Sequence, residues 1–223
     1  MARFLAALAV VATGLVPQAL GAQMPDPIDG VEVDADAGTL MGSRENGVQV
    51  FRGVPYAAAP TGENRWRAPQ PVEPWAGVRA ATAHEPPCAQ PVDTDTTVAN
   101  FGGVNGAQSE DCLYLTITAP ENAQGAPVLV WFHGGAFFLG AGSLGSYDGT
   151  ANAQQGVITV SVNYRLGALA NFVHPALDAQ HPDEPQGNYA LQDAVAVLGR
   201  INFLWMIPKK ICRRISGGDG DEA

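Results

Sequence analysis

The segment "VLVWFHGGAFFLGAGS", from Val128 to Ser143, constrains this chain more than any other. Five apolar residues run without a polar break, as in a strand buried on both faces, and stop at His133 and two glycines. A strand that ends on glycines can turn sharply, because glycine adopts backbone angles that side chains forbid. Such a turn also lets successive backbone N–H groups converge on one point, the arrangement that holds the negative oxygen of a tetrahedral intermediate. A hole of this kind serves a nucleophile, typically a serine in Gly-x-Ser-x-Gly. No such motif follows the segment, and the nearest approach, Ser143, has Ala141 where the first glycine would stand.

Other segments supply strands and helices around it. "GVITVSVNYRLG" is a second apolar run rich in β-branched residues, and "CLYLTITAP" reads as a strand from Leu113 to Thr118 closed by Pro120. Alternation through Val48, Val50 and Val54 predicts short antiparallel strands with glycine turns. The Pro-, Ala- and Gly-dense stretch from Pro55 to Pro91 reads as ordered loop, and Thr150 to Gln155 as a short helix. From Asn188 the period becomes helical: Leu191, Ala194, Val195 and Leu198 share one face, with Gln192 and Asp193 on another. Buried strands followed by a helix predict an α/β protein whose central sheet is mixed, largely parallel and incomplete.

Composition narrows the function classes. With 46% apolar and 15% charged residues the chain is globular, and a net charge of −10 excludes a nucleic-acid partner, which needs a basic footprint. The charge is unevenly placed. Residues 1–198 carry 7 Arg and no Lys against 19 acids, a net of −12, whereas residues 199–223 carry a net of +2. At the other end, Arg3 precedes an apolar stretch from Phe4 to Val16 with small residues at Ala19, Gly21 and Ala22. Thirteen positions are too few to span a bilayer and fit a secretory signal over residues 1–22. A secreted or periplasmic location follows, with no membrane span after cleavage. Export permits disulfides. Cys88 and Cys112, both in polar loop-like sequence, then either bridge, for roughly 3–4 kcal/mol, or remain two small apolar residues; Cys212 is left over. The three cysteines and four histidines show no metal-ligand spacing, so neither a metal nor a cofactor is expected.

Five blocks in order carry a resemblance: "FRGVPYAAAPTGENRWRAPQPVEPW", "EDCLYLTITAP", "HGGAFFLG" beginning 13 residues after Pro120, "VNYRLGALANF" and "GNYALQDAVAVL". From about Gly42 to Leu198 the chain is similar to the N-terminal portion of the type-B carboxylesterases, a family of α/β-hydrolases that includes para-nitrobenzyl esterases and cholinesterases. Thr116 departs from the Asn, Asp or Ser usual after the Cys-Leu-Tyr-Leu run. The resemblance implies a serine ester hydrolase that acts on small-molecule esters through an acyl-enzyme. It implies an oxyanion hole at Gly134, Gly135 and Ala136, with the amides of Gly135 and Ala136 as donors and Gly134 permitting the turn. Phe137 and Phe138 are candidates for the substrate pocket or for the core, whereas Trp131 is expected in the core. A Cys88–Cys112 disulfide and the ion pairs Arg65–Glu110 and Arg165–Asp193 are implied as structural features. His133 is expected to be packed and hydrogen-bonded, because the family's base lies far downstream; His84, His174 and His181 are expected to be solvated.

After Leu198 the sequence "GRINFLWMIPKKICRRISGGDGDEA" resembles nothing in the family. Residues 23–198 are therefore expected to be the N-terminal part of the esterase domain and 199–223 a divergent tail from a frameshift or misassembled gene end. Nucleophile, acid and base would then be missing, and open strand edges would favour aggregation. Two alternatives remain open, a non-catalytic cholinesterase-like binding domain and a non-functional gene fragment. Neither the particular ester nor the oligomeric state is legible.

Overall fold

The computed structural model describes residues 30–91, 104 and 107–201. The signal segment, Cys212 and the tail beyond Ile201 lie outside the described residues. Seven strands form one sheet: β1 (Gly30–Ala35), β2 (Gly38–Glu45), β3 (Val48–Pro55), β4 (Val78–Ala80), β5 (Tyr114–Pro120), β6 (Val128–Phe132) and β7 (Ile158–Val162). Its order is β1-β2-β3-β5-β7-β6, with β4 paired to β2. Four helices accompany it: α1 (Thr150–Gln154), α2 (Gly167–Asn171), α3 (Pro175–Gln180) and α4 (Tyr189–Ile201).

Local chemistry explains the first half. Asn46 and Gly47 both have positive φ (53° and 75°), as the two-residue turn between β2 and β3 requires. Such turns force antiparallel pairing, so β1, β2 and β3 form a meander that β3 continues onto β5 with a bulge between Phe51 and Val54. The connection from β6 to β7 holds α1, and that crossover makes the two strands parallel, with Val128 opposite Ile158 and Phe132 opposite Val162.

The sheet is mixed, as expected of an α/β-hydrolase, but it is not largely parallel among the described residues. Only β6–β7 and β2–β4 pair in parallel. The two N-terminal hairpins each reverse the strand, and β5 runs antiparallel to both β3 and β7.

One face of the sheet carries the main core. Phe51, Leu115, Ile117, Val160 and Val162 project there, and Val197 and Ile201 of α4 belong to the same buried cluster. The opposite face is covered by α1, whose Ala153 packs with Val48 and Val50. Two expectations fail at the margins of these layers. The sequence predicts a Val128–Phe132 strand buried on both faces with Trp131 in the core, yet Leu129 and Trp131 are exposed. β6 is the edge of the described sheet, and α1 packs over β3, β5 and β7 instead. The Trp131 ring lies 5.3 Å from that of Tyr147.

The second failure is α4. Its expected inner face, Leu191, Val195 and Leu198, is 53%, 69% and 50% exposed, while Tyr189, Ala190, Asp193, Val197 and Ile201 are buried. Asp193 turns the helix round, because its carboxylate faces a buried Arg165 (below), and a helix cannot satisfy that pair with its other side inward.

Electrostatics at the β2–β3 hairpin yield a test. Arg52 donates to both carboxylate oxygens of Glu45 (2.5 and 2.7 Å), and this pairing holds the Glu45 carboxyl down at about 2. A carboxyl whose folded value lies below its unfolded one stabilises the fold above the unfolded value, and that contribution fades as pH falls through the folded one. Glu45 is 38% exposed, so solvent screening keeps the contribution to about 1 kcal/mol or less. The melting temperature of Glu45→Gln should fall below that of the wild type at pH 7, and the gap should close between about pH 4 and pH 2. A gap independent of pH would show that the ion pair is not its source.

Candidate active site

The site lies where β6 ends. His133 is buried and stacks on Tyr164, with ring centroids 4.3 Å apart. Beyond it Gly135, Ala136 and Phe137 all have positive φ, at 111°, 55° and 59°. For alanine and phenylalanine this conformation costs about 1–2 kcal/mol per residue, so the surroundings must hold it in place.

They do so through three successive carbonyls. Tyr164 Oη donates to the His133 carbonyl (2.5 Å). His133 Nδ1 lies 2.8 Å from the Gly134 carbonyl oxygen. An oxygen of that kind only accepts, so the ring is the tautomer protonated at Nδ1. Burial pulls the His133 pKa below its ordinary value, which keeps the ring neutral. The Gly135 carbonyl accepts from the amides of Phe138 (2.9 Å) and Leu139 (3.1 Å). A trans peptide directs its N–H away from its C=O. Pinning these carbonyls therefore aims the amides of Gly134, Gly135 and Ala136 to the other side. Among the described residues, the amides of Gly135 and Ala136 have no hydrogen-bond acceptor. Two successive N–H donors without partners can receive an oxyanion.

The turn is bound further along. Gly167 N, at the start of α2, donates to the Phe137 carbonyl (2.7 Å). Gln90 brackets Gly140, donating to its carbonyl and accepting from its amide, each at 2.8 Å. Asn163 Oδ1 accepts from Gly142 N (2.8 Å), and the Asn163 carbonyl in turn accepts from Tyr56 Oη (2.8 Å). Phe137 (46% exposed) meets Tyr164 edge-on at 6.0 Å, and Phe138 is 51% exposed. Both phenyl rings thus stand at the mouth of the turn with much of their surface open.

Cys88 and Cys112 form a disulfide. Arg65 Nε lies 2.6 Å from Glu110 Oε2 in an exposed pair. Arg165 and Asp193 are almost wholly buried: the Arg165 backbone N, Nε and Nη2 all donate to the carboxylate, at 2.6 to 3.2 Å. Arg165 Nη1 also donates to the Arg67 carbonyl (2.7 Å), and its guanidinium lies over the Tyr189 ring. His84 Nδ1 lies 3.1 Å from Thr116 Oγ1 at the sheet surface. His174 caps α3, accepting from Ala176 N (3.1 Å), and His181 is part-exposed. None of these three has a hydrogen bond to the glycine turn among the described residues. Gln90, Tyr164 and Asn163, which hold that turn, carry no local signal in the sequence, because each acts on a segment at least 21 residues away. Arg67–Glu184, 117 residues apart, is equally hidden.

Among the described residues no group of three potential ligands could hold a metal ion, and no helix is long and apolar enough to cross a membrane.

The sequence model of the carboxylesterase family matches residues 29–202. The para-nitrobenzyl esterase of Bacillus subtilis is 46% identical over 144 residues, 64% of this chain and 29% of that protein. The fumonisin B1 esterase of Sphingopyxis macrogoltabida is 42% identical over 164 residues, 73% of this chain and 28% of that protein. Among solved structures, a PNB esterase superposes with a TM-score of 0.67 at 40% identity, covering 78% of this chain and 34% of that one. The chain thus spans about a third of the length of these relatives.

Proposed function

This chain belongs to the carboxylesterase family, and from that premise we propose that it carries the oxyanion-hole portion of a serine carboxylic ester hydrolase. The observation that carries the reading is the pair of unpartnered amides, Gly135 and Ala136, held by pinned carbonyls at the end of β6. In such a reaction a serine oxygen attacks the ester carbonyl, whose oxygen takes up negative charge. The two N–H groups bind that charge, and the alcohol leaves an acyl-enzyme that water then hydrolyses. The donors are already aimed, so little reorganisation is required as the charge develops. Phe137 and Phe138, open at the mouth of the turn, would offer apolar surface to the ester's acyl or alcohol group. His133 has its Nδ1 proton committed to Gly134 and its buried Nε2 unpartnered among the described residues, which suits a positioning group and not a base.

On this reading residues 23–198 supply part of an esterase domain and residues 1–22 direct its export, which the Cys88–Cys112 disulfide supports. The catalytic serine, acid and histidine then come from outside these 223 residues.

Two measurements test this. The 223-residue polypeptide should neither turn over para-nitrophenyl acetate nor be labelled by a serine-reactive phosphonate; stoichiometric labelling would overturn the assignment of the serine to sequence outside it. Residues 23–198 joined to the complementary portion of the Bacillus subtilis para-nitrobenzyl esterase should do both. A chimera that is folded and labelled but does not hydrolyse the ester would refute the oxyanion-hole assignment.

A further inference from the structure

We propose that Gln90 is a positioning residue for the oxyanion turn, anchored in place by the Cys88–Cys112 disulfide. The proposal rests on the ester-hydrolase reading above. Its basis is a chain of contacts that no catalytic group enters. The Gln90 side-chain amide pairs with both backbone groups of Gly140: Nε2 donates to the carbonyl and Oε1 accepts from the N–H, each at 2.8 Å. An amide side chain can do both at once through separate donor and acceptor atoms, and it treats Gly140 as a neighbouring strand would. Among the described residues Gly140 has no other hydrogen-bond partner on its backbone.

Gly140 in turn lies against the element that aims the oxyanion donors. It has φ +117°, and a Cβ placed on it would stand 2.4 Å from His133 Nδ1 and 2.8 Å from the Gly134 carbonyl oxygen. Those two atoms make the hydrogen bond that orients the Gly134–Gly135 peptide. The Gly140 backbone is thus the wall behind that bond, and the position of the wall is set by Gln90. If it withdraws, the His133 ring gains room to rotate and the Gly135 N–H loses its direction.

Gln90 is itself held from behind. Its Nε2 also donates to the Cys88 carbonyl (3.0 Å), and its backbone N donates to Gln108 Oε1 (2.8 Å). Cys88 pairs with Ser109 through a short parallel bridge, and its sulfur is bonded to Cys112, two residues ahead of β5. The disulfide therefore ties the residue that braces the turn to a central strand.

Amide hydrogen exchange and NMR shifts on the 223-residue chain test the proposal without any need for turnover. In Gln90→Leu the Gly140 amide should lose protection about tenfold or more, as when one hydrogen bond is removed. The Gly135 and Ala136 amide resonances should move, while β7 amides stay protected. Reducing the disulfide should release Gly140 in the wild type and add nothing further at Gly140 in Gln90→Leu. Gln90→Glu separates positioning from mere packing. At neutral pH its carboxylate cannot donate to the Gly140 carbonyl, so the Gly135 and Ala136 resonances should be displaced. As the carboxyl protonates it regains a donor, and they should return toward wild-type positions along a carboxyl titration that the wild type lacks. Gly135 and Ala136 resonances that stay put in both variants would overturn the positioning role while leaving the ester-hydrolase reading intact. A folded but inactive chimera would do the reverse.

Discussion

Asp193→Ala is expected to destabilise the chain by about 3–5 kcal/mol, because it strands a buried guanidinium without its counter-charge. Against a total of about 5–15 kcal/mol for a domain, that loss threatens folding itself. The pair does not draw its importance from a large net attraction. Burial pushes the Asp193 carboxyl up even though three Arg165 donors pull it down, so desolvation consumes much of what the contacts contribute. What makes the substitution severe is asymmetry: Arg165 has little solvent access, and its other ties are the Arg67 carbonyl and the Tyr189 ring. Urea unfolding gives the measurement. Replacing both partners, Arg165→Met with Asp193→Leu, should cost less than Asp193→Ala alone, since no charge is left buried. A loss below about 1 kcal/mol in Asp193→Ala would show that the arginine finds water or another acceptor once its partner has gone.

Gly135→Ala is the substitution expected to damage the site most. An added methyl would stand 1.9 Å from the Leu139 carbonyl oxygen, a backbone atom that cannot step aside, and φ +111° is hostile to any side chain. The turn must therefore rearrange, and with it the direction of the Gly135 and Ala136 amides. In the esterase chimera kcat should fall about 10²- to 10³-fold, the loss seen when one oxyanion donor is removed. The KM should change little, because the donors act on charge that develops only in the transition state. A variant with kcat within about threefold of the parent would place the oxyanion elsewhere.

Sequence reasoning locates the strands and the turn well and misjudges what covers them. Short-range patterns place β5 to within two residues, put β7 inside the apolar run from Gly156 to Gly167, and set the short helix over Thr150 to Gln155, where α1 spans Thr150–Gln154. These succeed because strand and helix periods are local. The Val128–Phe132 run fails for the opposite reason. Its apolar residues are indistinguishable along the chain, yet Val128, Val130 and Phe132 pack against the core while Leu129 and Trp131 do not. Covering depends on a neighbour that the run itself does not encode. In α4 a count of apolar residues chooses the face of Leu191, Val195 and Leu198, and one charged residue outweighs it. Asp193 goes inward because Arg165, 28 residues earlier, needs it there. The glycine turn is legible as a candidate, but the groups that aim it come from Gln90, Tyr164 and His133, whose arrangement is tertiary.

The mixed sheet also carries a timetable. β1 to β3 close over two-residue turns and can pair within microseconds of leaving solvent. β3 and β5 must instead bring together segments separated by the whole stretch from Pro55 to Tyr114. The Cys88–Cys112 bond lies inside that stretch and short-circuits a sequence separation of 24 in the loop to be closed. Since closure entropy follows the logarithm of loop length, at about 0.6 kcal/mol per doubling, the saving is modest. It falls on the step that joins the early meander to the strands carrying the glycine turn. An oxidised chain should therefore assemble that junction sooner than a reduced one, and spend less time with the inner edge of the meander exposed to other copies of itself.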